Sequence, residues 1–163
     1  MAKSFSVLVL NQCVDIAQRE AQAVVSAINV QLREHFGPSW YISAQCKLAP
    51  KSLSHIAMAK VTQDAVMIIT DKPTIKDAVG YHDKVESSGM PFGYVFQDVS
   101  AELEEPWSVT FSHEILELVL NRHANYYAIG PHPKDRKRNV VHWLEACDAC
   151  QDYSYKIGKI AVS

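Results

Sequence analysis

His113, Glu114 and Glu117 form the cluster in this chain whose residue types and spacing point most directly to chemistry. His113 and Glu117 are i and i+4, so on a helix they project from one face, one turn apart, and their heads can converge on one ion. Glu114 is rotated by about 100° from His113, near enough to reach a water on that ion without ligating it. The pattern is His-Glu-x-x-His with its second histidine replaced by glutamate. Imidazole nitrogen and carboxylate oxygen both suit Zn²⁺, and a carboxylate-rich shell also admits Mn²⁺, Fe²⁺ or Ca²⁺.

The neighbours argue against a merely wetted helix face. Val109, Phe111, Ile115, Leu116, Leu118, Val119 and Leu120 surround the polar trio, and no Lys, Arg or Gln occurs between Trp107 and Asn121. Carboxylates in such company need a compensating charge, because unpaired buried charge is costly. A metal supplies it; an ion pair with a distant Arg or Lys is the competing reading. A further ligand must come from later in the chain. Glu145 is the preferred donor, with Asp148 as co-ligand or supporting partner, both in Trp143-Leu144-Glu145-Ala146-Cys147-Asp148. His123 stands where the third histidine of His-Glu-x-x-His-x-x-Gly-x-x-His would fall. Leu120 occupies that pattern's glycine position, however, and a continuing helix aims His123 elsewhere, so His123 and His132 rank lower.

The elements that must position these residues follow from hydrophobic patterning. Phe5 to Leu10 is a compact apolar run suited to a buried strand, and it argues against a signal peptide because Asn11-Gln12 ends it early. Apolar residues recur at helical intervals from Val14 to Phe36, where Gly37-Pro38 is predicted to stop the helix. Trp40-Tyr41-Ile42 opens a second predicted strand reaching Leu48. Ala65 to Thr70 reads as a third, buried on both faces by its continuous apolarity. Gly80-Tyr81-His82-Asp83 leads into a polar loop, and Phe92 to Phe96 reads as a fourth strand at a sheet edge, weakened by Gly and Pro. The metal-site helix spans Trp107 to Asn121. Residues 123–138 read as irregular, Val140 to Leu144 as a strand or a helix start, and Tyr153 to Val162 as a small hairpin around Gly158.

Composition bounds the rest. The 163 residues amount to a single domain, 48% hydrophobic and 21% charged, with a formal net charge of -2. That balance gives no electrostatic reason to expect nucleic acid or an anionic membrane as partner. The basic run Lys134-Asp135-Arg136-Lys137-Arg138 reads as a solvated loop, with a phosphate-binding patch as the lesser alternative. No apolar stretch approaches the roughly 18 residues of a membrane helix, and the prediction is a cytoplasmic protein. Cys13, Cys46, Cys147 and Cys150 form no secreted disulfide framework, and the lone Cys147-x-x-Cys150 pair lacks the second pair that a structural zinc site wants.

Four blocks carry a resemblance: Gly80-Tyr81-His82-Asp83, Gly89-x-Pro91-x-Gly93-x-Val95-Phe96, Ser112-His113-Glu114-x-Leu116-Glu117 and Trp143-x-Glu145-x-Cys147-Asp148. Together they resemble a family of uncharacterised bacterial and phage proteins that look like zincin-fold metallopeptidases. The likeness runs over residues 5–163. It implies an α+β fold: a mixed β-sheet with an edge strand over the cleft, one backing helix, one metal-site helix and an irregular C-terminal part. Phe92 to Phe96 would be that antiparallel edge strand, able to pair with an extended peptide. His82 would approach the cleft as an oxyanion donor or an additional ligand. Two departures are visible. The family's helix continues into Asp-Pro where this chain has Asn121-Arg122, and the family runs on into another apolar segment where this chain reads Val162-Ser163, an end that looks shortened.

The expected activity is zinc-dependent peptide hydrolysis, with His113, Glu117 and Glu145 on the ion and Glu114 as general base. The rivals are an inactive zincin-like protein whose metal only clamps the helix, and a phage or prophage interaction module. The sequence assigns no substrate and no oligomeric state.

Overall fold

The computed structural model describes residues 4–76 and 78–163; Met1 to Lys3, where the leader-like stretch begins, lie outside them. Its centre is a five-stranded mixed sheet in the order β2-β1-β3-β5-β4, with β1 Phe5–Asn11, β2 Ala44–Leu48, β3 Ala65–Thr70, β4 Gly80–Lys84 and β5 Pro91–Phe96. The pairings β1–β2, β1–β3 and β3–β5 are parallel, whereas β4 runs antiparallel to β5. The fold is therefore α+β with a mixed sheet.

Alternating residues of the central strands feed two cores, which explains why β1 and β3 are apolar at nearly every position. Val7, Val9, Ala65, Met67, Ile69 and Val95 face the helices α1 (Gln18–Val30) and α4 (Trp107–Leu120). Leu8, Leu10, Val66 and Ile68 face the other way, under Ile56, Met58, Val61, Phe92 and Tyr94. Between the helices, Trp107 Nε1 donates to Glu20 Oε1 at 2.9 Å.

Several sequence expectations change. Helix α1 starts at Gln18, and Gly37-Pro38 does not stop the helical path: a π-helical turn, Gln31–Phe36, leads into a short helix α2, Gly37–Trp40. Pro38 is accommodated in the first turn of α2. Trp40-Tyr41-Ile42 is accordingly not strand. Tyr41 closes α2 in the left-handed region at φ 55°, and the strand begins at Ala44.

The fourth predicted strand exists but is interior. Phe92 to Phe96 lies between β3 and β4, with Pro91 at the strand's first residue, where proline is tolerated. Gly93 packs closely there: a Cβ would sit 2.6 Å from Met67 Cε and 3.0 Å from Tyr81 O. The edge belongs to β4, the segment read as the lead-in to a polar loop. A helix α3, Gln97–Glu102, precedes the acidic turn before α4.

Beyond α4, residues 123–138 are largely ordered as a hairpin of β6 (Tyr127–His132) and β7 (Asp135–Trp143), so Val140 to Trp143 is strand. The tail forms the expected hairpin, β8 (Tyr155–Ile157) and β9 (Ile160–Val162), turning at Gly158 with φ 62°. Strand β9 closes over α4: Ser108 Oγ donates to Ala161 O at 2.7 Å, and Ser112 Oγ accepts the Ser163 N–H at 2.5 Å. No described helix is long and apolar enough to cross a membrane.

Candidate metal centre

Helix α4 is apolar on nearly all sides because it is enclosed on nearly all sides. Phe111, Ile115 and Leu118 enter the core, and Ser108 and Ser112 meet β9. The remaining stripe, His113, Glu114 and Glu117, meets β4 and the segment 145–152. Glu114 and Glu117 are 7% and 3% exposed, so the helix buries two carboxylates beside an imidazole.

His113 Nε2 lies 3.2 Å from Glu117 Oε2 and 3.3 Å from Asp148 Oδ1. The other oxygen of Glu117 is fixed from behind: Oε1 accepts the backbone N–H of Cys147 at 2.9 Å and of Asp148 at 3.3 Å. These bonds aim Oε2 at His113. On the opposite flank, His82 reaches in from β4, its Nδ1 3.5 Å from Glu114 Oε2 and its Nε2 3.6 Å from Glu145 Oε2. Donor atoms of His113, Glu117 and Asp148 all lie within 4.8 Å of one another, as do those of His82, Glu114 and Glu117.

Two residues with no defined role in the sequence reading, Gly80 in the first block of the resemblance and Asn121 as a departure from it, hold this arrangement. Gly80 lets Glu114 lie against β4; a Cβ there would stand 2.9 Å from Glu114 Cγ, from Glu114 Oε1 and from Thr110 Cγ2. Asn121, fully buried, accepts the backbone N–H of Asn125 and Tyr126 on Oδ1, each at 3.0 Å, and donates from Nδ2 to Glu145 Oε1 at 3.4 Å. An aspartate would keep the first role and lose the second, so the amide at this position suits its neighbours.

The electrostatics follow from crowding acids and imidazoles out of water. Burial works against the charged form of His113, but its hydrogen bond to Glu117 and the surrounding carboxylates prevail and lift its pKa to about 9. For His82, too, burial is outweighed, by the Glu114 bond and the charges of Glu145, Glu114 and Glu117, and the pKa rises. Burial raises Glu114 and Glu145, with the imidazoles only partly offsetting it. Glu117 goes the other way: burial is overcome by His113 and the Cys147 N–H, and its carboxyl is held below the usual range.

The structure thus brings together His82, His113, Glu114, Glu117, Glu145 and Asp148. It divides them in a way the sequence did not anticipate, with Asp148 beside His113 and Glu145 beside His82. His123 joins neither group of candidate ligands among the described residues, and His132 is used in its own turn, accepting the Lys134 N–H at 3.1 Å. Cys147 and Cys150 are both free thiols; Cys147 serves through its backbone N–H. A cleft of about 420 Å³ opens beside the cluster, lined in part by Gly80, Thr110, His113, Glu114, Asp148 and Asp152. A larger cavity of about 650 Å³ lies by Asn29, Tyr41 and Ser43, away from these residues and lined by no acid, histidine or cysteine. No family model and no curated protein matches the chain.

Proposed function

We propose that this protein is a metal-dependent hydrolase of the peptidase type, with Zn²⁺ as the preferred ion and a zincin-like arrangement of helix, sheet and edge strand. One observation carries the reading. An imidazole and two carboxylates, His113, Glu117 and Asp148, converge from a helix and a later segment while a third carboxylate, Glu114, stands beside them. The donor chemistry fits a divalent cation. Four carboxylates, Glu114, Glu117, Glu145 and Asp148, gather around two imidazoles, leaving negative charge that a cation would balance.

His113, Glu117 and Asp148 would hold the ion. Bound there, it supplies Lewis acidity toward a carbonyl and lowers the pKa of a coordinated water. Glu114 takes a proton from the attacking water and passes it to the leaving amine. Its raised pKa suits both halves of that task, because a carboxyl nearer neutrality is a better acid after it has served as a base. His82 steadies Glu114 through the 3.5 Å approach of Nδ1 to Oε2. The outer edge of β4 is the place for an extended peptide to pair by strand addition, the role predicted for Phe92 to Phe96.

The decisive variant is Glu114→Gln. Cleavage of a generic peptide substrate should vanish while zinc content and circular dichroism stay at wild-type values. A second reading is favoured by the way Glu117 ties α4 to the 147–148 backbone: the ion would then be a clamp between two segments, with no catalysis. In that case chelation unfolds the chain and no peptide is cut by the wild type. A chain that neither carries zinc nor gains thermal stability from Zn²⁺, Mn²⁺ or Ca²⁺ overturns both readings.

A further inference from the structure

We infer that the cluster takes two divalent cations: the second is bound by His82 Nε2 and Glu145 Oε2, with Glu117 lying between the two imidazoles. The inference rests on the first ion sitting at His113, Glu117 and Asp148.

His82 supplies the leading observation. Its side chain is only 5% exposed, and Nε2 has no hydrogen-bond partner. The atom it faces, Glu145 Oε2, is likewise buried and without a hydrogen bond. Two unsatisfied polar atoms pointed at each other in a closed site need an explanation, since each pays the cost of leaving water. Their separation of 3.6 Å is too long for a hydrogen bond. It is close to what one cation imposes on two of its donors, roughly 3–3.5 Å when each bond is about 2.0–2.2 Å.

The surroundings of His82 match that role. A ligating histidine commonly gives its other ring N–H to a carboxylate, which fixes the tautomer and turns the free nitrogen toward the ion. Here Nδ1 faces Glu114 Oε2 at 3.5 Å, leaving Nε2 for the metal. Glu117 lies within 4.8 Å of donor atoms of His113 and Asp148 and also of donor atoms of His82 and Glu114, so one carboxylate stands between the two imidazoles.

Charge balance points the same way. Glu114, Glu117, Glu145 and Asp148 bring four carboxylates to two imidazoles. With neutral imidazoles, one divalent ion cancels half of that charge and leaves the rest among Glu114, Glu117 and Glu145, of which the first two are buried, with only Asp148 exposed. Two ions cancel all of it. Asn121, which donates to the other oxygen of Glu145, orients that carboxylate without adding charge.

The test is metal stoichiometry on the full chain, stripped with chelator and dialysed against Zn²⁺, then against Mn²⁺. Wild type should hold two equivalents, and His82→Ala and Glu145→Gln one each. Asp148→Asn should lose the other equivalent. Should either substitution unfold the chain, Mn²⁺-loaded wild type gives an independent readout. Its electron paramagnetic resonance spectrum should show exchange-coupled pairs rather than isolated ions. One equivalent in wild type that survives His82→Ala but not Asp148→Asn overturns the second site and leaves the proposed function standing. One equivalent lost in His82→Ala and kept in Asp148→Asn overturns both assignments, as does no bound metal at all.

Discussion

Asn121 Nδ2 approaches Glu145 Oε1 at 3.4 Å, joining the end of α4 to the segment that follows the long hairpin. The donor is an amide, so the link survives only while position 121 carries N–H. Asn121→Asp would set two carboxylates against each other in a buried place. In the metal-free protein we predict a loss of about 1–3 kcal/mol, the usual cost of a broken buried polar contact. Urea denaturation of the chelated proteins measures it, and a variant as stable as wild type would show that the link carries no weight.

Gly80 and Glu114 make a second prediction. A methyl group in Gly80→Ala must push Glu114 or Thr110 aside, since its Cβ would stand 2.9 Å from both. Stability should fall by about 1–3 kcal/mol through overpacking. Peptide cleavage should fall much further, on the order of 10²-fold, because the base is moved by about an ångström. Zinc bound by His113, Glu117 and Asp148 should be retained. Unchanged kcat in this variant argues against Glu114 as the base.

The His113–Glu117 pair sets a pH window for the metal-free protein. The pKa of His113 is raised to about 9, so its stabilising effect is complete below the unfolded value of about 6.5 and is lost as pH rises through about 9. Glu117 is lowered, so its contribution is complete above the unfolded carboxylate value and disappears as pH falls through its own. Metal-free wild type should therefore lose stability between pH 6.5 and 9.5 in a way that His113→Asn does not. Zinc affinity should climb over the same interval, because the ion competes with a proton for Nε2. An affinity flat across that range would contradict His113 as a ligand.

Thiol chemistry offers a check on the fold itself. Cys13, Cys46 and Cys147 are buried, and burial lifts their pKa values to about 11, 12 and 12, with Asp71 adding to the rise at Cys13 and Glu117 at Cys147. Cys150 is exposed. A thiol reagent at pH 7.5 should label Cys150 rapidly and the other three only on unfolding. Fast labelling of Cys147 would mean that the segment holding Glu117 opens readily.

Helix α4 was legible in the sequence because its chemistry is local: i to i+4 spacing and an unbroken apolar surround survive without knowledge of the fold. Strands β1 and β3 were legible for a related reason, being apolar on both faces. Strand β4 was not. Its five residues mix Gly, Tyr, His, Asp and Lys, and they become a strand through pairing with β5, a contact that no short pattern encodes. The placement of β5 at the edge failed with it, since the weakening effect of Pro91 and Gly93 was read without the partner that covers them. The hairpin at Tyr127 to Trp143 escaped because it is exposed over much of both strands and shows no clean alternation. Glu145 and Asp148 were both named from the sequence, but which one faces His113 depends on the turn at Cys147, where the backbone bends toward Glu117.

That hairpin leaves and re-enters the body at almost one point. Leu144 N–H donates to Tyr126 O at 3.0 Å, and the Tyr127 and Trp143 rings meet edge to face at 4.9 Å just beyond. The excursion is thus cinched at its root, where Asn121 accepts the Tyr126 N–H and Trp143 bonds to Glu145, while most of the two strands beyond is exposed. Evolution or a protein engineer can trim it, swap it or thread a reporter through the Pro133-Lys134 tip while the neck stays shut.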